Sequence, residues 1–374
     1  LVDHLNAADI GNIEKEEGLQ LISLNLKASQ VARDATAYDS ALVYLQHCEK
    51  HFPKIHWCGN RRLAYRMCLN MAEVYYLINE REETTPWMKD ALELAETRLE
   101  IAAVHHLAIT YLAMSGKYNE SYQRAVETLK MFDIVIDIEN VELAIGKTFE
   151  EIESMVNDEQ EVADIFNLND VADPEMRFAM KILAEITSVS FAISPYLFTL
   201  TNATTVLWAL KHGLCADSAP SFGCLGLLYN ALFNRPKLGY EYGKLCKCLG
   251  ERYEDLAQRS KTIDWFCNFN VVWHHPLKDT VPLNREALAL ALDTGDLPFA
   301  GFIVNHIAYN AFYMGENLGK LEYNCQEQLD FLDRISHLYA FDCVQGAKWI
   351  ISHYRSKENT DMDIPANKQE FLKS

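Results

Sequence analysis

Apolar residues three and four positions apart recur almost from one end of this chain to the other, and nowhere is there sustained alternation of period two. That pattern buries a stripe of a helix rather than one face of a strand, so an all-helical protein is expected. Its turn signals repeat as well. They fall around Asn79, Gly116, Asn234, His275 and Gly315, at a spacing of about 40 residues or a small multiple of it, the length of one helix–turn–helix unit in a solenoid. Asn157 and the Ser194–Pro195 pair supply helix-ending signals in the gaps, and return turns are expected near Asp173–Pro174, Gly213, Gly250 and Gly295. Roughly seven hairpins result, each too thin to bury its apolar stripe alone and therefore stacked on its neighbours.

Small residues recur inside the units. Ala108, Gly116, Tyr118, Ser121 and Ala125 sit where a tetratricopeptide hairpin needs close helix contact and a tight turn, although Tyr111 lies one residue further from its glycine than the usual pattern has it. The expected fold is a right-handed α-solenoid of tetratricopeptide-like hairpins. Residues 1–156 are expected to form an N-terminal half, 157–173 an acidic hinge, 174–356 a C-terminal half and 357–374 a polar tail with too little apolar surface to pack.

A length of 374 residues exceeds a typical single core, which a repeat array accommodates by adding length without thickness. The formal net charge of −19 disfavours nucleic acid and anionic membrane, both of which need basic patches. The most apolar region, 182–210, is interrupted by Glu185, Asn202 and Pro195, so no membrane-spanning helix is expected. The opening residues, Leu1–Asn6, hold no charged-then-apolar leader, so no secretory signal is expected there. Ten cysteines are scattered through apolar helical stretches. Cys68, Cys224 and Cys267 look like small buried hydrophobes rather than parts of a disulfide framework, which fits a reducing cytoplasm.

Many short motifs together carry a resemblance. They are Thr36–Leu45 (TAYDSALVYL), Trp57, Tyr65, Ala72, Glu73, Tyr75–Leu77, Asp173–Met176 (DPEM), Ser194–Asn202 (SPYLFTLTN), His212–Leu228, Gly239–Leu245 (GYEYGKL), Trp273–Leu277 (WHHPL) and Asp293–Phe302 (DTGDLPFAGF). With these, the chain resembles the helical region of large fungal and bacterial hybrid sensor kinases. In that family a serine/threonine-kinase-like domain and an AAA-type ATPase module precede the region, and GAF and histidine-kinase modules follow it. The resemblance covers almost the whole chain but none of the family's catalytic modules. It implies a relay or scaffold role, with flanking kinase or ATPase modules as protein partners, and no nucleotide-binding residues to carry over.

Three motifs suggest chemistry that their surroundings argue against. Gly146, Lys147 and Thr148 match the end of a phosphate-binding loop, but Val141 stands where the first glycine is needed and no strand precedes it. His47 and His51 share a helix face near Cys48, Glu49, His56 and Cys58, all zinc-ligand types. Cys48 occupies the place of the glutamate that the zinc-protease pattern requires, so a solvated helix end is expected and no metal or other cofactor. His274 and His275 precede Pro276 and read as turn residues.

Polar residues inside otherwise apolar first helices are the most informative pattern. Arg66 and Asn70, Asp264 and Asn268, and Asn305 and Tyr309 are each four apart, so each pair forms a polar line on one helix face. Such lines either fix the register of neighbouring hairpins by hydrogen bonding or border a concave groove for a partner or ligand. Asp264 is expected on the groove side, because no basic residue stands four away and only Lys261, three before it, could compensate its burial. The expected function is signal coupling through a protein-binding groove. The alternative is a stand-alone helical protein whose groove is a small-molecule pocket, with isomerase or cyclase-type acid–base chemistry from Asp264 and His105.

Overall fold

The computed structural model describes residues 2–7, 15–51, 58–78, 80–335 and 337–355. The predicted turn at Asn79, the motif residue Trp57, the candidate ligand His56 and the polar tail 357–374 all lie outside them. The described chain is helical, without a β-strand. In order it forms α1 (Val2–Ala7), α2 (Lys15–Asp34), α3 (Tyr38–His51), α4 (Arg61–Leu77), α5 (Arg81–Leu94), α6 (Arg98–Met114), α7 (Tyr118–Leu129), α8 (Val141–Met155) and α9 (Glu159–Asp164). There follow α10 (Pro174–Ile193), α11 (Pro195–His212), α12 (Ala219–Ala231), α13 (Pro236–Arg252), α14 (Leu256–Trp265), α15 (Thr280–Asp293), α16 (Leu297–Tyr313), α17 (Leu318–Arg334) and α18 (Leu338–Arg355). No described helix is long and apolar enough to cross a membrane.

Local chemistry sets the helix ends. Thr97 and Glu100 form a capping box at α6, and the side chains of Asp158, Asp173, Asp255, Asp296 and Asn317 accept from the first free N–H groups of α9, α10, α14, α16 and α17. At the turns Gly116, Gly295 and Gly315 take positive φ, as does Asn234, where a side chain with a branched Cβ would be strained. The return turn expected near Gly250 follows α13 at residues 253–255, but Gly250 itself is not the turn residue. It lies within α13, and a Cβ there would run into the Thr262 side chain, so the glycine serves close helix contact.

Two compact units divide the chain, Leu1–Thr148 with Val171–Thr204, and Phe149–Asp170 with Thr205–Ser374. In the first, α2 packs on α3, α4 on α5 and α6 on α7, while α2 also touches α4 and α4 touches α6. Its core gathers Leu26, Leu45, Cys48, Met67, Met71 and Trp87. In the second, α12 packs on α13, α14 on α15 and α17 on α18, with α12 touching α14 and α16 touching α18. The acidic stretch 157–170 lies on α13 there. Val162 and Ile165 are buried, and Arg252 reaches Asp170 at 2.7 Å while Arg235 holds the carbonyl of Asn157 at 2.6 Å.

Cys68, Cys224 and Cys267 are buried as expected, and no disulfide joins the described cysteines. Burial pushes the Cys48 thiol up to about 12, and its Sγ turns inward to the carbonyl of Ile22, away from any metal role with His47 and His51. Gly146, Lys147 and Thr148 lie in the unbroken helix α8, where the hydroxyl of Thr148 donates to the carbonyl of Ala144 at 2.8 Å. Their backbone is thus committed to the helix rather than wrapped as a phosphate loop requires. His274 and His275 are turn residues that pin α13, through the carbonyl of Pro236 at 2.8 Å and the hydroxyl of Tyr240 at 2.9 Å.

Candidate functional site

The second unit contains the richest polar constellation. Directly after Trp265, α14 widens into a π-helical segment, Phe266–Asn270. The extra residue per turn shifts the following side chains round the axis, and such widenings recur at functional sites. It turns Asn268 and Asn270 toward neighbouring helices. Asn270 fills the space left by glycines on α12 and α13, donating to the carbonyls of Gly223 and Trp265, both at 2.9 Å. Asn268 pairs with Asn284 of α15 amide to amide, at 2.9 and 3.1 Å. It also donates to Asp264 at 2.7 Å and accepts from Asn310 of α16 at 2.7 Å. Both its donors and both its acceptor sites are used.

Asp264 is therefore not on a solvated groove. Its residue is 2% exposed, and His306 of α16 meets it at 2.9 Å. A carboxylate only accepts, so the imidazole presents N–H from Nδ1. The partner of Asp264 is a histidine 42 residues on rather than Lys261, which pairs with Asp296 at 3.2 Å. The other expected lines are also redistributed. Asn305 is buried, its Oδ1 without a hydrogen-bond partner among the described residues, and Tyr309 donates to the carbonyl of Cys343 at 3.3 Å. The pair that faces Asp264 and Asn268 is His306 and Asn310, also four apart but one residue further on, and one residue is about 100° of helix rotation. That repeated i, i+4 spacing of amide and ionisable groups was the available signal.

In the first unit Arg66 is exposed, and Asn70 is half-buried, donating to the carbonyl of Arg66 at 2.8 Å and accepting from Arg33 of α2 at 3.4 Å. His105 meets Arg124 at 3.1 Å, and burial followed by that guanidinium holds its imidazole below the ordinary value. His105 and Asp264 belong to different units, each engaged by partners of its own. Sequence reasoning missed the neighbouring cluster, where His106 meets Glu185 at 2.7 Å and Thr110 donates to the same carboxylate.

Burial pushes the Glu185 carboxyl up, but the hydrogen bonds from His106 and Thr110 and the His106 charge outweigh it, and its pKa falls below the ordinary 4.5. A depressed carboxyl stabilises the fold above its unfolded pKa and loses that contribution as pH falls through the folded value. Glu185→Gln should therefore flatten the acid limb of stability, measured as the urea midpoint on descending through pH 4.5.

A third feature is a row of aromatic side chains on α14, α16 and α18 in the second unit. Trp265 and Phe269 lie 4.6 Å apart, and the Phe269 ring meets His306 edge-on at 5.1 Å. On α16 the positions Phe302, His306, Tyr309 and Tyr313 form one stripe, and Phe302 meets Tyr339 of α18 at 5.8 Å. Tyr313 is 72% and Tyr339 52% exposed. Trp265, Phe269 and Phe302 are half-buried, whereas Asp264 and Asn305 are buried.

What the fold and this arrangement define is an all-helical protein of packed hairpins, with a buried amide network backing an aromatic face. No family model matches the chain and no curated protein matches it.

Proposed function

We propose that the chain is a tetratricopeptide-like, right-handed helical-repeat element of a sensor-kinase system, holding a protein partner from a flanking kinase or ATPase module. The observation that carries this reading is the half-exposed aromatic row on α14, α16 and α18, since aromatic anchors dominate protein-binding surfaces. The net charge of −19 selects a partner segment with basic flanks. The resemblance of the sequence motifs to hybrid sensor kinases supplies the choice of partner. Tyr313→Ala combined with Tyr339→Ser should leave the unfolding free energy within about 0.5 kcal/mol, as for solvated positions. The same pair should reduce retention of the partner module by more than about tenfold. Undiminished retention would remove the aromatic row from the interface.

A further inference from the structure

A cavity of about 160 Å³ lies among α15, α16 and α17, within the second unit. A cavity of ~150 Å³ accommodates a molecule the size of benzene. Its polar floor is made by Thr280, Asn284 and Asn310, the last donating to the Thr280 hydroxyl at 3.2 Å and thereby continuous with the Asp264 network. Gln328 lines it from α17, and its buried Oε1 has no hydrogen-bond partner among the described residues. A buried carbonyl of this kind costs free energy until a donor reaches it. Arg285, also in the lining, has no carboxylate partner among the described residues, whereas Lys320 and Glu316 pair with one another at 3.1 Å. The lining thus carries one uncompensated positive charge in a chain whose net charge is −19.

We infer that this cavity binds a small carboxylate of about six non-hydrogen atoms that also bears a hydrogen-bond donor, an α-amino or α-hydroxy acid. Its carboxylate pairs with Arg285, whose guanidinium fork matches that geometry. Its amino or hydroxyl group donates to Gln328 Oε1. The site is independent of the partner face, because the aromatic row needs neither Gln328 nor Arg285.

The test uses the purified full chain with three probes of nearly equal size: L-alanine, L-lactate and propionate, which keeps the carboxylate and lacks the donor. Calorimetric titration should show L-alanine or L-lactate binding, with matching thermal stabilisation at about 10 mM probe. Which of the two binds more tightly separates the amino from the hydroxy acid. Propionate should bind at least about tenfold more weakly, and Gln328→Met and Arg285→Ala should each weaken the favoured probe by a similar factor. Gln328→Met should melt no lower than the parent without probe, since it removes an unpaired acceptor, and exposed Arg285 is replaceable without loss of the fold. Absence of binding by L-alanine and L-lactate, equal binding of propionate, or affinities unchanged in both variants would each overturn the inference.

Discussion

Asp264→Ala is expected to lower the unfolding free energy by about 3 kcal/mol, because it strips a buried, doubly hydrogen-bonded carboxylate from Asn268 and His306. The loss spreads beyond one bond. Asn268 then keeps only its amide partners, and His306 Nδ1 loses its acceptor. His306→Ala should cost a comparable amount, and the double variant less than the sum, since one interaction is counted twice in the single changes. Urea melts of the three proteins decide this. A cost near ~0.5 kcal/mol for Asp264→Ala would be that of a solvated residue and would restore the open-groove reading.

Gly239→Ala should be at least as damaging. The new Cβ on α13 would lie 2.5 Å from the carbonyl oxygen of Gly226 on α12 and press into the Asn230 amide. Backbone oxygen cannot swing aside as a flexible side chain does, so the two helices must separate. Overpacking of this kind costs about 1–3 kcal/mol, and more where backbone blocks the space. Gly226→Ala meets the same obstacle from the other side, 2.6 Å from the carbonyl of Gly239 and against Asn270. Gly146→Ala is the internal control, with nothing within 4 Å of its Cβ on α8. It should be neutral or slightly stabilising, from helix propensity. A fall in melting temperature confined to the α12–α13 variants is the expected pattern.

Helical class, most turns and the burial of Cys68, Cys224 and Cys267 were legible in the sequence because each depends on local chemistry. Period sets the helix, a φ-permissive Gly or Asn sets the turn, and an apolar neighbourhood buries the thiol. The turn near Gly250 was legible, but not the role of the glycine itself. A glycine that admits a neighbouring helix carries the same letter as one that ends a helix, and only the position of Thr262 distinguishes them.

The polar lines were legible as pairs but not in their direction. Asn268 points as it does because the backbone widens to a π-turn at Phe266–Asn270, a departure from 3.6 residues per turn that leaves no residue signature. His306 compensates Asp264 across 42 residues of chain, and spacing along one helix cannot reveal a partner on another. Asn305 and Tyr309 stand one residue before His306 and Asn310, the pair that meets Asp264 and Asn268, and one residue is about 100° of helix rotation.

The partner face can be examined in the cell by placing the photo-crosslinking residue benzoylphenylalanine at Tyr313 and, in a separate strain, at Tyr323, which is 63% exposed but stands on α17. After irradiation, the Tyr313 derivative should be joined to a basic segment of a kinase-like or ATPase module, identified by mass spectrometry, and the Tyr323 derivative should not. Equal capture at both positions, or no protein attached at Tyr313, would contradict a partner held on the aromatic face.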